Sequence, residues 1–285
     1  MIKFLFMPTV NYLGERESVK ILSNITIGQY YSASSQVHSL DPRAKIVLVI
    51  LLMAATFAIQ NFFGFLTLSF ILLSIVALAS LPFSWVLRSV KPLLYIIIFS
   101  FIVHILFTGG EPLVKIGIIN ITREGVRNGF FITLRLVLLV SGTSILIFTT
   151  TPIELTDGLE YLLKPLSKLK VPTHELAMML TIALRFIPTL LLETERLMKA
   201  QMARGADFES GNFLRRAKCF LPLIIPLFIS AFRRADELAL AMESRCYRGG
   251  QGRSRLRTLK MRGADWFNTS VVILLLVGVV AIGRL

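Results

Sequence analysis

Apolar runs close to membrane-spanning length recur along the chain, separated by short polar segments. Runs at about 45–60, 65–81, 93–107 and 130–150 approach the ~20 residues that an α-helix needs to cross a bilayer. Few of them carry an ionisable group near the middle, as expected of transmembrane helices. A shorter run at about 268–283 closes the chain. The pattern predicts about five transmembrane helices.

The charges between these runs indicate which ends face the cytoplasm. Arg43 and Lys45 precede the first run, and Arg88 and Lys91 lie between the second and third runs. The turn at 59–65 carries no charge. Because cytoplasmic loops have an excess of Lys and Arg, the two basic segments are predicted to lie inside and the charge-free turn outside.

The segment at 108–129 mixes both charge signs with glycine. This composition suits an external loop with a short strand-like or re-entrant piece. Arg135 follows within the first turns of the next run, close enough to the membrane boundary for its guanidinium to snorkel to water. Snorkelling is favoured here over a place in a translocation path.

A short amphipathic helix is predicted after the fourth run. Thr151 can cap it, Pro152 takes the first helical position, and Glu154 stands three residues after the cap, which together form a capping box. The helix is too short and too charged to span, so it is predicted to lie along the inner membrane interface. Its apolar stripe consists of Leu155, Leu159, Leu162, Leu163 and Leu166.

Two long helices follow, each apolar in its first part and charged in its second. The first, at about 174–204 with Pro188 as an expected kink, would be roughly 45 Å long against a hydrocarbon layer of ~30 Å. Its second half therefore cannot lie in lipid. Together the two helices are predicted to form a hairpin that is attached to the membrane at one end and exposed to the cytoplasm at the other. Residues 196–262 contain 15 Lys plus Arg and 5 Asp plus Glu, a net charge of +10.

Two carboxylates of the first long helix approach the membrane. Glu193 has Arg196 three residues later, and Glu195 has Lys199 four residues later. Residues at these spacings are neighbours on a helix surface. Solvated local ion pairs are therefore predicted, rather than a proton relay.

The composition agrees with a membrane protein. Of the 285 residues 54% are hydrophobic and the mean hydropathy is +0.70, yet the formal net charge is +14. Because this charge is concentrated between the apolar runs, nucleic acid is not expected as a partner. Cys219 and Cys246 are both predicted on the cytoplasmic side, so a structural disulfide is not expected. The opening stretch MIKFLFMPTVNYLGERES has too short an apolar core for a signal peptide.

The sequence contains no constellation of reactive groups. The P-loop pattern G-x-x-x-x-G-K-[ST] is absent, so any ATP that is used would be bound by another subunit. His38, His104 and His174 lie on separate segments without cysteine or carboxylate partners at ligand spacing, so neither a metal site nor a cofactor is predicted. The spacing suggests no nucleophile and base. A non-catalytic chain is therefore expected.

The ends of the two long helices share one feature. Each places an arginine between two small residues in the last turn. An arginine there complements the helix dipole, and Gly205 is an ordinary helix stop, so plain helix endings remain an alternative. A guanidinium between small neighbours can also enter a groove and form bidentate pairs with carboxylates, which predicts docking to a partner with an acidic groove. The candidate docking residues are Ala203, Arg204, Gly205, Ser244, Arg245 and Cys246.

Four stretches give the chain a family resemblance. They are HSLDPRAK before the first run, TLRLVLLVSGTSILIFTTTP across the fourth, LRFIPTLLLETERLMKAQMARGAD, and LPLIIPLFISAFRRADELALAMESRCY. From about Gly28 onward, nearly the whole chain resembles the transmembrane (T) component of energy-coupling factor transporters. That family is a branch of the ABC transporters that takes up vitamins and metal ions.

The resemblance implies partners and roles that the residues alone do not. In the family an Ala-Arg-Gly triplet ends each of two coupling helices, and its arginine docks into a groove on one of two cytoplasmic ATPase subunits. This implies Arg204 for one ATPase and Arg245 for the other, and it also implies a substrate-binding membrane subunit, the S component. The second triplet reads Ser-Arg-Cys here, so the tight turn that glycine would allow is expected later, at Gly249 and Gly250.

The sequence therefore predicts an all-α polytopic membrane protein with about five transmembrane helices and a cytoplasmic coupling domain of one short amphipathic and two long crossing helices. The expected domains are 1–150 with the first four transmembrane helices, 151–262 with the coupling helices, and 263–285 with the last transmembrane helix. The chain would be a coupling subunit in the lipid bilayer of the cell membrane. The alternative, a stand-alone secondary carrier or channel, needs facing ionisable residues at mid-membrane or broken helices in paired repeats, and neither is evident.

Overall fold

The computed structural model describes residues 30–116, 119–169, 172–206, 208, 213–249 and 261–284. Within these residues almost all of the regular structure is helical. The α-helices are α1 (Gln36–Ser39), α2 (Pro42–Ala58), α3 (Phe62–Leu78), α4 (Phe83–Val90), α5 (Leu94–Phe107), α6 (Arg123–Thr149), α7 (Pro152–Leu163), α8 (Thr173–Ala203), α9 (Phe213–Glu243) and α10 (Gly263–Arg284). Two 3-10 helices, Lys91–Leu93 and Lys164–Leu169, follow α4 and α7, and the strands β1 (Pro112–Ile116) and β2 (Ile119–Thr122) pair in antiparallel fashion.

The chain divides into two compact units, and the boundary falls inside α8. The membrane unit contains the described residues up to Leu184 and from Arg248 onward, and the hairpin unit contains Arg185–Tyr247. The domain boundaries expected after residues 150 and 262 stay a prediction.

Four segments of the described chain are long enough and apolar enough to cross a membrane. They are Phe83–Phe107, Arg123–Thr149, Thr173–Ala203 and Gly263–Gly283. α3 is a shorter apolar helix, and α2 has 17 residues. These helices confirm the predicted all-α polytopic membrane protein. The segment formed by α8 belongs to the four, although the sequence indicated that its second half lies outside lipid.

The core of the membrane unit lies where α2, α3, α6 and α10 meet. α5 packs along α6, while α7 and α10 pack against α2. Burial is complete at Ile59, Phe65 and Leu68, around the turn that joins α2 to α3. The remaining buried members of this core are Leu52, Ala55, Leu72, Val76, Ala79, Leu81, Val86, Leu138, Ile145, Phe148, Leu276 and Val279.

The first turn of α2 is fastened to the end of α6. Asp41 caps α2 by accepting a hydrogen bond from the Arg43 N–H (2.9 Å), and Pro42 starts the helix. The buried Lys45 ammonium donates to the carbonyl oxygens of His38 (3.0 Å) and Thr149 (2.9 Å). The basic stretch at the start of the first transmembrane helix therefore joins α2 to the end of α6, in addition to indicating the topology.

The helix that contains the fourth apolar run begins earlier than the run itself. The structure starts α6 at Arg123 rather than near residue 130, and Thr122 caps it by accepting a hydrogen bond from the Gly125 N–H (3.1 Å). The expected strand-like piece is confirmed in the segment before it, as the β1–β2 pair. Polar residues and glycines concealed the first two turns of the helix, because they are typical of loops.

The snorkelling interpretation of Arg135 is wrong. Because α6 starts at Arg123, Arg135 lies more than three turns into the helix. Its guanidinium donates to the carbonyl oxygens of Thr56 (3.2 Å) and Ile59 (3.1 Å) at the end of α2. The ring faces of Phe57 and Phe65 lie 5.8 and 5.7 Å from the guanidinium carbon. The arginine satisfies carbonyls that the end of a helix leaves without partners.

The predicted capping box of α7 is confirmed. The Thr151 hydroxyl accepts a hydrogen bond from the Glu154 N–H (3.3 Å), and the Glu154 carboxylate accepts one from the Thr151 N–H (3.1 Å). The first long helix is also confirmed, as α8, and it continues through Pro188 without a break. α9 continues likewise through Pro222 and Pro226.

Candidate functional site

The hairpin unit packs the second half of α8 against α9. The Arg234 guanidinium donates to the Glu193 carboxylate (Nη2 to Oε2, 3.0 Å). Further along α8, Met198 is buried with Leu223, which precedes Arg234 on α9. Because later residues of α8 meet earlier residues of α9, the two helices run antiparallel. The contact between the two helices therefore contains an ion pair and, at another position along them, an apolar cluster.

The carboxylates of α8 have different partners. Glu195 pairs with Lys199 (Oε1 to Nζ, 3.0 Å), as predicted. Glu193 was expected to pair with Arg196, but its hydrogen-bonded partner is Arg234 of the other helix. The spacing along α8 identified a neighbour on the same helix, whereas the packing of α9 supplied a closer cation. Glu193 thus links α8 to α9 instead of pairing only within α8.

The first arginine triplet ends α8 in a Schellman motif. Gly205 has a left-handed backbone (φ +89°). The Gly205 N–H donates to the Met202 carbonyl (2.9 Å) and the Ala206 N–H to the Gln201 carbonyl (3.0 Å). This is the pair of hydrogen bonds that defines the motif, and the left-handed residue turns the chain sharply away from the helix.

The second triplet ends α9 in the same way. Cys246 has a left-handed backbone (φ +55°). The Cys246 N–H donates to the Glu243 carbonyl (2.9 Å) and the Tyr247 N–H to the Met242 carbonyl (3.0 Å). The expectation that the tight turn comes only at Gly249 and Gly250 is therefore wrong. Cysteine itself takes the left-handed conformation, at a cost of roughly 1–2 kcal/mol for a residue with a Cβ.

The later glycines have a separate place. Gly249 is left-handed (φ +84°), and Gly250 lies outside the described residues. The turn at the triplet is thus complete before Gly249 begins a second change of direction. The two triplets have one backbone geometry in spite of their different third residues.

The two arginines occupy equivalent positions. Arg204 and Arg245 each stand directly before the left-handed residue, and both are exposed. Within the described part of the chain, neither guanidinium has a hydrogen bond or an ion pair. Their small neighbours Ala203 and Ser244 are exposed as well. Both guanidinium groups are therefore available to an outside partner.

The arginines lie at opposite ends of the helix pair. Arg204 follows Glu193 by eleven residues, and Arg245 follows Arg234 by eleven residues. At 1.5 Å per residue each arginine is about 16 Å from the Glu193–Arg234 contact, and the antiparallel helices carry the two in opposite directions. The separation is thus up to ~33 Å along the hairpin. One partner surface cannot reach both tips unless it is large.

Candidate ligands for a metal do not come together in the residues that the structure describes. Each of the three histidines contacts another group of the protein. His104 contacts the Ser100 carbonyl (2.8 Å), and His174 pairs with Glu160 (3.0 Å). Burial lowers the pKa of His38, so this imidazole is neutral at pH 7. Its Nε2–H donates to the Tyr31 carbonyl (2.9 Å).

The fold and this hairpin define a class of protein: a multi-pass, all-α membrane protein with a helical hairpin that presents two arginine-bearing ends. The family model of CbiQ, described as cobalt transport protein, matches residues 33–256. The chain is also similar to proteins named energy-coupling factor transporter transmembrane protein EcfT. The one from Acidaminococcus fermentans is 54% identical over 258 residues, 90% of this chain and 96% of the relative.

Two further relatives carry the same name. The protein from Thermosediminibacter oceani is 50% identical over 244 residues, 86% of this chain and 92% of the relative. The protein from Bacillus subtilis is 46% identical over 258 residues, 90% of this chain and 96% of the relative. The chain belongs to this family, the transmembrane (T) components of energy-coupling factor transporters. It is a multi-pass protein of the cell membrane.

Proposed function

We propose that this chain transmits ATP-driven motion from two cytoplasmic ATPase subunits to a substrate-binding membrane subunit, the S component, and thereby drives uptake of a vitamin or metal ion. One observation supports this proposal above the rest. Two exposed arginines, Arg204 and Arg245, stand on identical Schellman ends at opposite tips of one antiparallel hairpin. This arrangement suits docking into two separate grooves, one on each ATPase subunit.

The chemistry of each tip suits a groove lined by carboxylates. A guanidinium presents five N–H donors in a fixed fork and binds a carboxylate through two parallel hydrogen bonds. The small flanking residues, Ala203 and Gly205 at one tip and Ser244 and Cys246 at the other, allow the helix end to enter the groove. Because the Schellman bonds fix the backbone beside each arginine, a displacement of the groove is passed to the helix instead of being absorbed by the loop.

The helix pair then carries the motion. When two ATPases close on ATP, the two tips are drawn together, and α8 and α9 turn about the Glu193–Arg234 and Met198–Leu223 contacts. The region 151–262 serves as the coupling domain, and the S component moves with it. The chain performs no chemical step, and the substrate is bound by the S component.

The proposal is tested by removing both guanidinium groups. In the assembled transporter, Arg204→Ala combined with Arg245→Ala should abolish uptake and reduce co-purification of the ATPase subunits, because a desolvated acidic groove without its cation costs several kcal/mol. Membrane insertion should be unchanged. The matched control is Arg233→Ala, which removes an exposed arginine from the middle of α9. Normal uptake by the double variant would refute the proposal.

The same material separates coupling from independent transport. A stand-alone carrier or channel would move substrate when this chain alone is reconstituted into vesicles, and its transport would not need ATP. The proposal predicts no transport by the lone chain, and ATP-dependent uptake when the ATPases and an S component are added.

A further inference from the structure

The first turn of α8 is joined to the last turn of α7 by a pair of side chains. His174 is the second residue of α8, and Glu160 lies near the end of α7. The His174 Nδ1 lies 3.0 Å from the Glu160 Oε1. Both side chains are mostly buried, with 30% of the histidine and 13% of the glutamate exposed. The pair therefore bonds two helices across the connection between them, inside the membrane unit.

The surroundings of the imidazole identify the donor of this bond. An ionised carboxylate only accepts hydrogen bonds, so the proton lies on the His174 Nδ1. The Nε2 atom of the same ring is buried and has no hydrogen-bond partner within the described part of the chain. A bare nitrogen is tolerated there better than an N–H without an acceptor. The neutral Nδ1–H tautomer, donating to Glu160, satisfies both observations.

α7 is in turn fixed to the start of α2. Gly158 is buried there, and a Cβ on it would lie 3.1 Å from the Ile46 Cδ1 and 3.3 Å from the Pro42 Cβ. The Arg43 guanidinium carbon lies 3.4 Å from the centre of the Tyr161 ring, which is a cation–π contact. Because α2 belongs to the core of the membrane unit, α7 has a firm support.

The covalent connection between α7 and α8 is less regular than either helix. α7 ends at Leu163, a 3-10 helix follows over Lys164–Leu169, and α8 begins at Thr173. A 3-10 helix has poorer hydrogen-bond geometry than an α-helix and occurs in short pieces. Such a connection yields when α8 is displaced. The bond between Glu160 and His174 bridges it and keeps the two helix ends together.

α8 extends from this bond to the first arginine tip. The helix is continuous from Thr173 to Ala203 and passes from the membrane unit into the hairpin unit. At 1.5 Å per residue, Arg204 lies about 45 Å along the helix from His174. A long helix that is displaced at one end passes the displacement on only if another part of it is held. The bond to α7 holds the first turn of α8.

We propose that Glu160 and His174 are positioning residues for coupling. They hold the first turn of α8 against α7, and α7 holds it against α2, so that α8 moves about a fixed point when its arginine tip is displaced. Without the bond, part of the displacement is lost in the connection between α7 and α8. This role rests on the proposed function and adds to it a fixed point in the membrane unit, separate from the docking arginines.

The test compares uptake with ATP hydrolysis in the assembled transporter. The complex is reconstituted into vesicles with an S component, and uptake is measured with the radiolabelled vitamin that this S component binds. Glu160→Leu and His174→Leu remove the acceptor and the donor. Each variant should keep its ATPase subunits and its ATP hydrolysis, while the uptake per ATP hydrolysed falls several-fold. A merely structural role would lower the yield of the complex, its ATP hydrolysis and its uptake together.

Conservative variants show whether the hydrogen bond itself is required. The amide nitrogen of asparagine is as many bonds from Cα as the histidine Nδ1, so His174→Asn keeps a donor and should recover most of the uptake per ATP. Glu160→Gln keeps the acceptor oxygen and should do the same. The matched control is His104→Leu, which removes a histidine that contacts the Ser100 carbonyl of its own helix, and it should couple as the wild type does.

The results that overturn the role of this pair differ from those that overturn the proposed function. Wild-type uptake per ATP in both leucine variants would overturn it, as would equal losses in His174→Asn and His174→Leu. Loss of the ATPase subunits from the leucine variants would also overturn it, because the pair would then support assembly. The variant with Arg204→Ala and Arg245→Ala is measured beside them. Normal uptake by that variant refutes the proposed function, whereas its inactivity beside normally coupled leucine variants refutes the role of the pair alone.

Discussion

At the residue scale, two cations of the membrane unit, the buried Lys45 and the partly buried Arg135, act on helix ends. Lys45 donates to the Thr149 carbonyl at the end of α6, and Arg135 donates to the Thr56 and Ile59 carbonyls at the end of α2. A cation at a helix C-terminus also opposes the negative end of the helix dipole. Charges inside apolar segments are thus explained by backbone satisfaction, without a translocation path.

Arg135 is expected to be necessary for stability. Arg135→Met leaves two carbonyls without a donor, and a buried polar group without a partner costs on the order of 1–3 kcal/mol. We expect a lower melting temperature of the purified transporter, and partial recovery with Arg135→Lys. The control is Arg123→Met, which removes an exposed arginine at the start of the same helix. Equal melting of Arg135→Met and the wild type would contradict the capping role.

The left-handed Cys246 gives a second test at this scale. Cys246→Gly should keep the Schellman end and relieve up to roughly 1–2 kcal/mol of backbone cost, so association with the ATPase should be maintained or strengthened. Cys246→Val should weaken it, because a β-branched residue strongly resists a left-handed backbone. Pull-down of the ATPases measures both. Cys219→Val controls for the loss of a cysteine, and equal binding by the glycine and valine variants would count against a required turn.

At the element scale, the contact between α8 and α9 depends on one ionic pair and a small apolar cluster. Glu193 and Arg234 are partly exposed, at 26% and 36% of their side-chain areas, so their pair contributes about 0.5–1 kcal/mol. The pair is more important for the geometry of the hairpin than for its stability. It fixes which turns of the two helices meet, and therefore where the two arginine tips lie.

Charge exchange across the pair should reveal this. Glu193→Arg alone sets two guanidinium groups against each other and should reduce ATP-dependent uptake several-fold, while Glu193→Arg with Arg234→Glu should restore most of it. Transport assays in vesicles measure the difference. Glu195→Arg, beside the pair but partnered within α8, is the control. If the double variant transports no better than the single one, the pair does not set the crossing.

Sequence patterns predicted the elements better than the contacts between them. Local signals sufficed where one residue acts on its neighbours, as in the capping box of Thr151 and Glu154. They failed where the partner lies on another helix, because Glu193 meets Arg234 and Arg135 meets α2 only after packing. The turn at Cys246 was expected too late in the chain for another reason. A left-handed backbone is rare in residues other than glycine and asparagine, so the residue type did not indicate it.

At the scale of the whole molecule, the proposed function requires two tips that engage two separate partners. The arginine triplets were visible in the sequence, but their placement at opposite ends of an antiparallel hairpin was not. The proposed function requires that placement, because it offers one arginine to each of two partners.

The most direct measurement places a photo-crosslinker at Ala200 and, in a second variant, at Ala241 of the transporter assembled in membranes. Both positions are exposed and lie one helical turn before an arginine, so the guanidinium groups and their small flanking residues are left unaltered. The account predicts that each position crosslinks to a cytoplasmic ATPase subunit, while a crosslinker at Val277 of α10 does not. Absence of ATPase adducts from both tips, in complexes that contain the ATPases, would contradict it.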